Sequence, residues 1–534
     1  MKAPRLLDAA TAQILGFNWL RDAVAPVSPY GERVFEEIAP FAAGEEAAAG
    51  LRARRIAKIG AALDGDRLDA VRGTLAELPD AASAIARASM GDVLDDPSFL
   101  ELRRFCEALE RIDELLAQCG AFSSICSAGV GLVGEALAAG RRAQMGFYLA
   151  DEFDIALGPA RVRLAQAQAE LDAARGRELG RAAQELGRDE IASDEFIVMR
   201  AQLRGPLPTG IRVVRETPTY LLCELEYGDA SLAALARRQA AADAVASAEE
   251  RVRVRLSSIV REHAAELEAA ARALGQLDVE LAAARFTARH ECTAAEIASE
   301  PVLSFEKARF LPLEAELAGA GRDFVPLDLE LHDAAVLTGP NMGGKSVSLQ
   351  TCGFVALCAA LGLPAPVARA RCALFDQIAW LGLGREIEIG GLLSSFAREV
   401  VELREILTAG APRLLIFVDE FARTTTPHEG RALLAALLGR LRRRGACGLL
   451  ATHLAGIAEL AGVRHFAVRG LREIPQLPPT GDIGEALTAL AASMDYRISE
   501  VSGDDLPRAD AIALTALLGM DREFVEAAYR ALSQ

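Results

Sequence analysis

Residues 334–350 read AAVLTGPNMGGKSVSLQ, and this stretch leaves the chain few ways to fold. An apolar run stops at Gly339, and residues 339–344 then hold three glycines and a proline before a helical pattern begins. Neither a strand nor a helix passes through such a segment, so the local structure is strand, loop, helix. Gly339, Gly344, Lys345 and Ser346 fit G-x-x-x-x-G-K-[ST], with Pro340, Asn341, Met342 and Gly343 between them. Glycines at this spacing let backbone N–H groups converge on a phosphate, and the helix N-terminus adds its partial positive charge. Lys345 is then expected to reach the β- and γ-phosphates and Ser346 to ligate Mg²⁺. The chain has 54 arginines and only four lysines, which makes a lysine at this point more telling.

Beyond about residue 300, other short apolar runs, LLIFVDE and CGLLATH among them, alternate with helical stretches. That alternation predicts an α/β domain with a mostly parallel sheet wrapped by helices. Asp419 ends one such run, where its carboxylate sits beside the expected magnesium, and Glu420 is placed to polarise an attacking water. His453 ends another and occupies the position of a γ-phosphate sensor.

Upstream the pattern is mainly helical. In SPYGER, Ser28 and Pro29 mark a helix start. Two tracts rich in Ala, Arg and Glu, about 159–187 and 229–287, lack proline after Pro159 and predict long amphipathic helices. Residues 191–228 between them, with Gly205-Pro206 and Thr209-Gly210, predict a small β-containing tip. The expected division is a helical core domain over 1–158, lever helices over 159–290, a nucleotide-binding domain over 291–500 and a terminal helix-turn-helix over 501–534. The last is read as a dimerisation segment with its break at Gly519.

Composition limits the alternatives. No apolar window reaches membrane-spanning length and the first residues lack a signal-like apolar stretch, so a cytoplasmic protein with no membrane partner is expected. The nine cysteines show no metal-ligand spacing. Net charge is −17, and both residues 1–300 (35 basic, 47 acidic) and 301–534 (23 basic, 28 acidic) are acidic, which weighs against a nucleic-acid partner held by bulk charge.

TGPNMGGKS, VDEFARTTTPHEG and ATH together resemble the ATPase domain of the MutS family, a branch of the ABC-type ATPases. The family's D-E-x-G-R-G-T-S-T-x-D-G block aligns without gaps on residues 419–430, keeping Asp419, Glu420, Arg423, Thr425 and Gly430. The family glycines are Ala422 and Thr424 here, the Ser-Thr pair is Thr426-Pro427, and the threonine after the loop serine is Val347. DFVPLDLEL is similar to the family's F-V-P-N-D segment, with Leu327 in place of asparagine, which implies that Phe324 stacks on adenine. LLSSFAREVVELREIL is similar to the family's S-T-F-x-x-E signature, which implies that Ser394 or Ser395 reaches the γ-phosphate of a neighbouring subunit. The resemblance thus implies ATP and Mg²⁺, and a dimer, expected to be a homodimer with a heteromer as the alternative. It also implies that ATP binding closes the dimer and that hydrolysis reopens it.

The expected target is DNA, gripped by a clamp without direct mismatch reading, because the chain is read as starting near the family's core domain. Residues 191–228 weaken this, since four arginines there face five acids and a phosphate grip needs a basic surface. The alternative is a reactivase ATPase acting on a cobalamin-dependent aminomutase, suggested by the short chain, the SPYG opening, the MDYRI strand at 494–498 and the uncharged tip.

Overall fold

The computed structural model describes residues 6–117, 124–139, 146–340, 343–382, 395–471, 493–501, 512, 515–516 and 520–532. The chain forms two compact units: Leu78–Glu114 with Ser124–Ala271, and Met1–Glu77 with Leu115–Ser123 and Arg272–Gln534. Among the described residues no helix is long and apolar enough to cross a membrane.

In the first unit, helices Leu157–Glu185 and Asp229–Glu262 run against each other. Ala160, Ala167, Leu171 and Ala174 on one, and Ala234, Ala248, Val252, Leu256 and Val260 on the other, recur at helical spacing and are buried. The tract expected to be one helix from 229 to 287 is two: the chain turns at His263 and resumes as Ala264–Arg289. Neither proline nor glycine marks the break. His263 and Glu266 pair at 3.2 Å, and Glu266 also accepts from the Ser127 hydroxyl and the Gly129 amide, so tertiary partners hold the turn.

Between the long helices, strands β1 (Glu195–Met199), β2 (Ile211–Glu216) and β3 (Tyr220–Leu225) form an antiparallel sheet ordered β1-β3-β2. Phe196, Val198, Leu221, Cys223 and Leu225 pack with Ala182, Ala183 and Ile191, leaving the other face open to solvent. Arg175 fastens this sheet. Its guanidinium donates to Glu178, Asp194 and the Leu225 and Glu226 carbonyls and stacks 4.0 Å over Tyr227. Arg175→Ala leaves those acceptors without their donor and is expected to cost about 2–3 kcal/mol, discounted because Asp194 is half-exposed. Faster hydrogen exchange at the β3 amides reads this; unchanged protection would refute it.

In the second unit, β4 (Glu296–Ala298), β5 (Leu303–Ala308), β6 (Leu327–Leu331) and β8 (Arg369–Ala373) form a four-stranded sheet ordered β4-β8-β5-β6. A six-stranded sheet ordered β13-β12-β7-β11-β10-β9 takes β7 (Ala334–Thr338), β9 (Gln377–Gly382), β10 (Leu414–Asp419), β11 (Cys447–Ala451), β12 (Arg464–Leu471) and β13 (Met494–Glu500). All its pairings are parallel except β12 with β13. Every residue of β7, β10 and β11 is buried, because elements cover both sheet faces, and so each strand is a continuous apolar run. Helix Lys345–Ala360 touches strands of both sheets and is buried nearly all round.

The N-terminal residues belong to this unit. Leu6 and Thr11 bond the backbone of β9, and Leu15 fills the space where a Cβ on Gly353 would sit. Ser28 caps helix Pro29–Glu37 as its sequence indicates, and buried Asp278 accepts from the Ser28 amide and hydroxyl at 2.7 and 2.6 Å.

Candidate functional site

The glycine loop leaves the carboxyl end of β7 and enters helix Lys345–Ala360. Gly344 is its N-cap at φ +85°, and a Cβ there would meet the Tyr496 ring at 3.1 Å. Lys345 is buried, and its Nζ donates to the Gly339 and Pro340 carbonyls at 3.1 Å each. The same ammonium lies 3.8 Å from Glu420 Oε1. Burial pulls its pKa below the ordinary lysine value, against the opposing pull of Glu420 and Asp419.

Ser346 Oγ donates to Asp419 Oδ2 at 2.7 Å, joining the start of the helix to the end of β10. Asp419 is buried, its other oxygen has no hydrogen-bond partner, and burial pushes its carboxyl above the ordinary aspartate value. A buried, orphaned carboxylate oxygen beside a hydroxyl is a hard-oxygen donor set that suits a divalent cation.

Past Asp419 the backbone is forced. Glu420 stands at φ +56° and Ala422 at φ +62°, both left-handed without being glycine. Such a conformation costs about 1–2 kcal/mol for a residue with a Cβ and concentrates at functional sites. The Glu420 amide donates to the Ala451 carbonyl at 3.0 Å, and the Ala422 amide to Glu399 Oε2 at 2.9 Å. The Thr426-Pro427 departure from the family block finds a local explanation here. Thr426 is the N-cap of helix Pro427–Arg444, with Pro427 at its first position, and Glu429 Oε2 accepts from the Thr425 and Thr426 hydroxyls at 3.0 and 2.8 Å. Ala422 occupies a left-handed position where glycine carries no Cβ penalty. Ala422→Gly is therefore expected to stabilise the fold by about 0.5–1 kcal/mol, the relieved strain exceeding the added unfolded-state entropy. A raised urea midpoint tests this, and a lowered one would refute it.

A cavity of about 470 Å³ opens beside the loop, within the span of small-molecule sites. Gly343, Gly344, Lys345, Ser346 and Glu420 line one side, and Phe324, Val325, Leu313, Leu317 and Tyr496 supply apolar walls. Arg322 and Asp323 contribute charge to the same lining. The structure thus brings together Gly339, Pro340, Gly343, Gly344, Lys345, Ser346, Asp419, Glu420 and Phe324. Asn341, Met342, Ser394 and the side chain of Ser395 lie outside the described residues, as does Gly519. His453 is exposed in the turn after β11 and is not part of the cavity wall. The buried histidine of this region is His465, on β12, paired with the Thr338 hydroxyl at 2.8 Å. Tyr496 and Glu399 were not singled out from the sequence. Glu399 carried a signal, as the glutamate of the signature-like stretch, whereas Tyr496 lies about 150 residues from the loop it meets.

A mainly parallel sheet, a lysine-serine loop on a central strand and an acid pair on the next strand but one define an α/β protein whose candidate site lies at the carboxyl ends of its strands. A family model described as MutS domain V matches residues 335–472. The chain is 32% identical over 219 residues to "Endonuclease MutS2" of Pelotomaculum thermopropionicum, covering 40% of this chain and 27% of that protein. It is 33% identical over 224 residues to "DNA mismatch repair protein MutS" of Granulibacter bethesdensis, covering 41% of this chain and 23% of that protein. The same description applies to a Thermus thermophilus protein, 35% identical over 214 residues, 40% of this chain and 25% of that protein. Residues 335–472 are thus similar to MutS domain V, and the matched relatives carry MutS and MutS2 descriptions. The matches span about a quarter of the length of these relatives.

Proposed function

We propose that this protein is a MutS-like P-loop ATPase that couples ATP binding and hydrolysis to a clamp-like grip on DNA. The observation that carries the reading is the convergence of Lys345, Ser346, Asp419 and Glu420 on one loop beside a cavity with two aromatic walls. In this reading the loop amides and Lys345 take the phosphates, and Phe324 and Tyr496 flank the base. Ser346 and Asp419 would hold Mg²⁺, which when bound offsets phosphate charge. Glu420 polarises the attacking water, and His453, at the carboxyl end of β11, keeps the proposed role of γ-phosphate sensor. Ser394 or Ser395 completes the site of a second subunit.

Dimerisation through residues 501–534 accords with helix Arg522–Leu532, where Phe524, Tyr529 and Leu532 stand exposed. The division at 158, 290 and 500 is part of the same proposal.

One observation favours a protein target instead, as in an ATP-dependent reactivase acting on a cobalamin-dependent aminomutase. Arg200, just past β1, and Arg212 on β2 pair with Glu216 and Glu224, while Ile197, Met199 and Val214 are exposed. Arginines neutralised within their own sheet release few counterions from DNA. ATP turnover measured with plain, branched and mismatched duplexes at low and physiological salt separates the two, with Lys345→Ala as the blank. Modulation by DNA that fades with salt supports the clamp. Turnover indifferent to all DNA but absent in the blank supports the protein target.

A further inference from the structure

We propose that Glu399 is a positioning residue for Glu420, holding the turn that aims it through the Ala422 amide. The proposal rests on the ATP-hydrolysis reading above. Residues 420–422 turn between two supports. On one side the Glu420 amide bonds the Ala451 carbonyl at the end of β11. On the other stands helix Ser395–Thr408, which contributes Glu399 to the Ala422 amide at 2.9 Å and the Phe396 ring, 6.4 Å from that of Phe421. Because Glu420 and Ala422 are both left-handed without being glycine, the turn does not hold itself and depends on outside partners.

Arg423 strengthens the connection. It lies 3.7 Å from Glu420 Oε2, on the same turn. Burial pushes the Glu399 carboxyl above the ordinary glutamate value, against the opposing pull of the Ala422 amide and the Arg423 charge. The turn that Glu399 anchors through Ala422 therefore carries both Glu420 and the guanidinium paired with it. Glu399 does not line the cavity, so it acts through the turn and not on the nucleotide.

The test compares Glu399→Ala, Glu399→Asp and Glu399→Gln in the full chain. Turnover, binding of a fluorescent ATP analogue and hydrogen exchange over residues 419–425 are measured together. Glutamine keeps an acceptor oxygen at the same reach, whereas aspartate falls one methylene short. The Ala and Asp variants are expected to lose turnover on the order of 10- to 100-fold, keep analogue affinity within about threefold, and exchange faster at the turn. The Gln variant is expected to restore most of the turnover. If alanine does not yield folded protein, the Asp and Gln pair carries the comparison. Wild-type turnover and unchanged protection in the Ala or Asp variant would overturn the proposal, as would equal losses of turnover and affinity that glutamine does not rescue. Wild-type protein that hydrolyses no ATP would remove the reading beneath it. Exchange at the turn would still show whether Glu399 anchors Ala422.

Discussion

Glu420→Gln is expected to lower ATP turnover by about 10²- to 10⁴-fold while leaving nucleotide affinity within a few-fold of wild type. The magnitude is that of removing a general base. Glutamine fills the same space and keeps a hydrogen-bonding oxygen, but it cannot take a proton from water. Binding is expected to be spared because, in the proposed reading, the loop and Lys345 meet the phosphates, and Lys345 keeps its bonds to the Gly339 and Pro340 carbonyls when Glu420 is replaced. Single-turnover hydrolysis alongside equilibrium binding separates the two effects. Wild-type turnover in the variant would eliminate Glu420 as the base, and a parallel loss of binding would make it a structural partner of Lys345.

Gly382→Ala carries the largest expected effect on stability. Gly382 ends β9 opposite Asp419, at φ +118°, and a Cβ there would lie 2.0 Å from the Asp419 carbonyl oxygen. No rotamer relieves that contact, so the ends of β9 and β10 must part. Overpacking of about 1–3 kcal/mol and a backbone penalty of about 1–2 kcal/mol together predict a loss of roughly 3 kcal/mol or more. That is a large fraction of an ordinary domain's stability. Gly445→Ala provides the control, since Gly445 has φ +67° with nothing within 4 Å of its added Cβ, and it should lose only the backbone part. Equal urea midpoints for the two variants would refute the steric argument. Because Asp419 lies at the clash, nucleotide binding should fall in the Gly382 variant and persist in the control.

Some of these features could be read before the fold was known, and others could not. The strands β7, β10 and β11 show in sequence because burial on both faces demands unbroken apolar runs. The helix start at Ser28-Pro29 shows because capping is decided within four residues. The break at His263 does not show, since its cause is a carboxylate bonded to residues about 137 positions away. Ala422 and Thr426-Pro427 stood out as departures, but their meaning needed backbone angles and hydrogen bonds. One is a left-handed position occupied by alanine, and the other is a helix cap.

The sequence by itself determined the loop, the lysine and serine that follow it, and the acid pair at the end of an apolar strand. Each of these depends on neighbours within a few residues, where chain geometry leaves little freedom. Only the tertiary structure decided that Ser346 meets Asp419, that Tyr496 closes on Gly344, that Glu399 holds Ala422 and that His453 stays exposed outside the cavity wall. Those pairings join residues from 23 to about 150 positions apart. They follow from sheet order and helix packing, which no local pattern encodes.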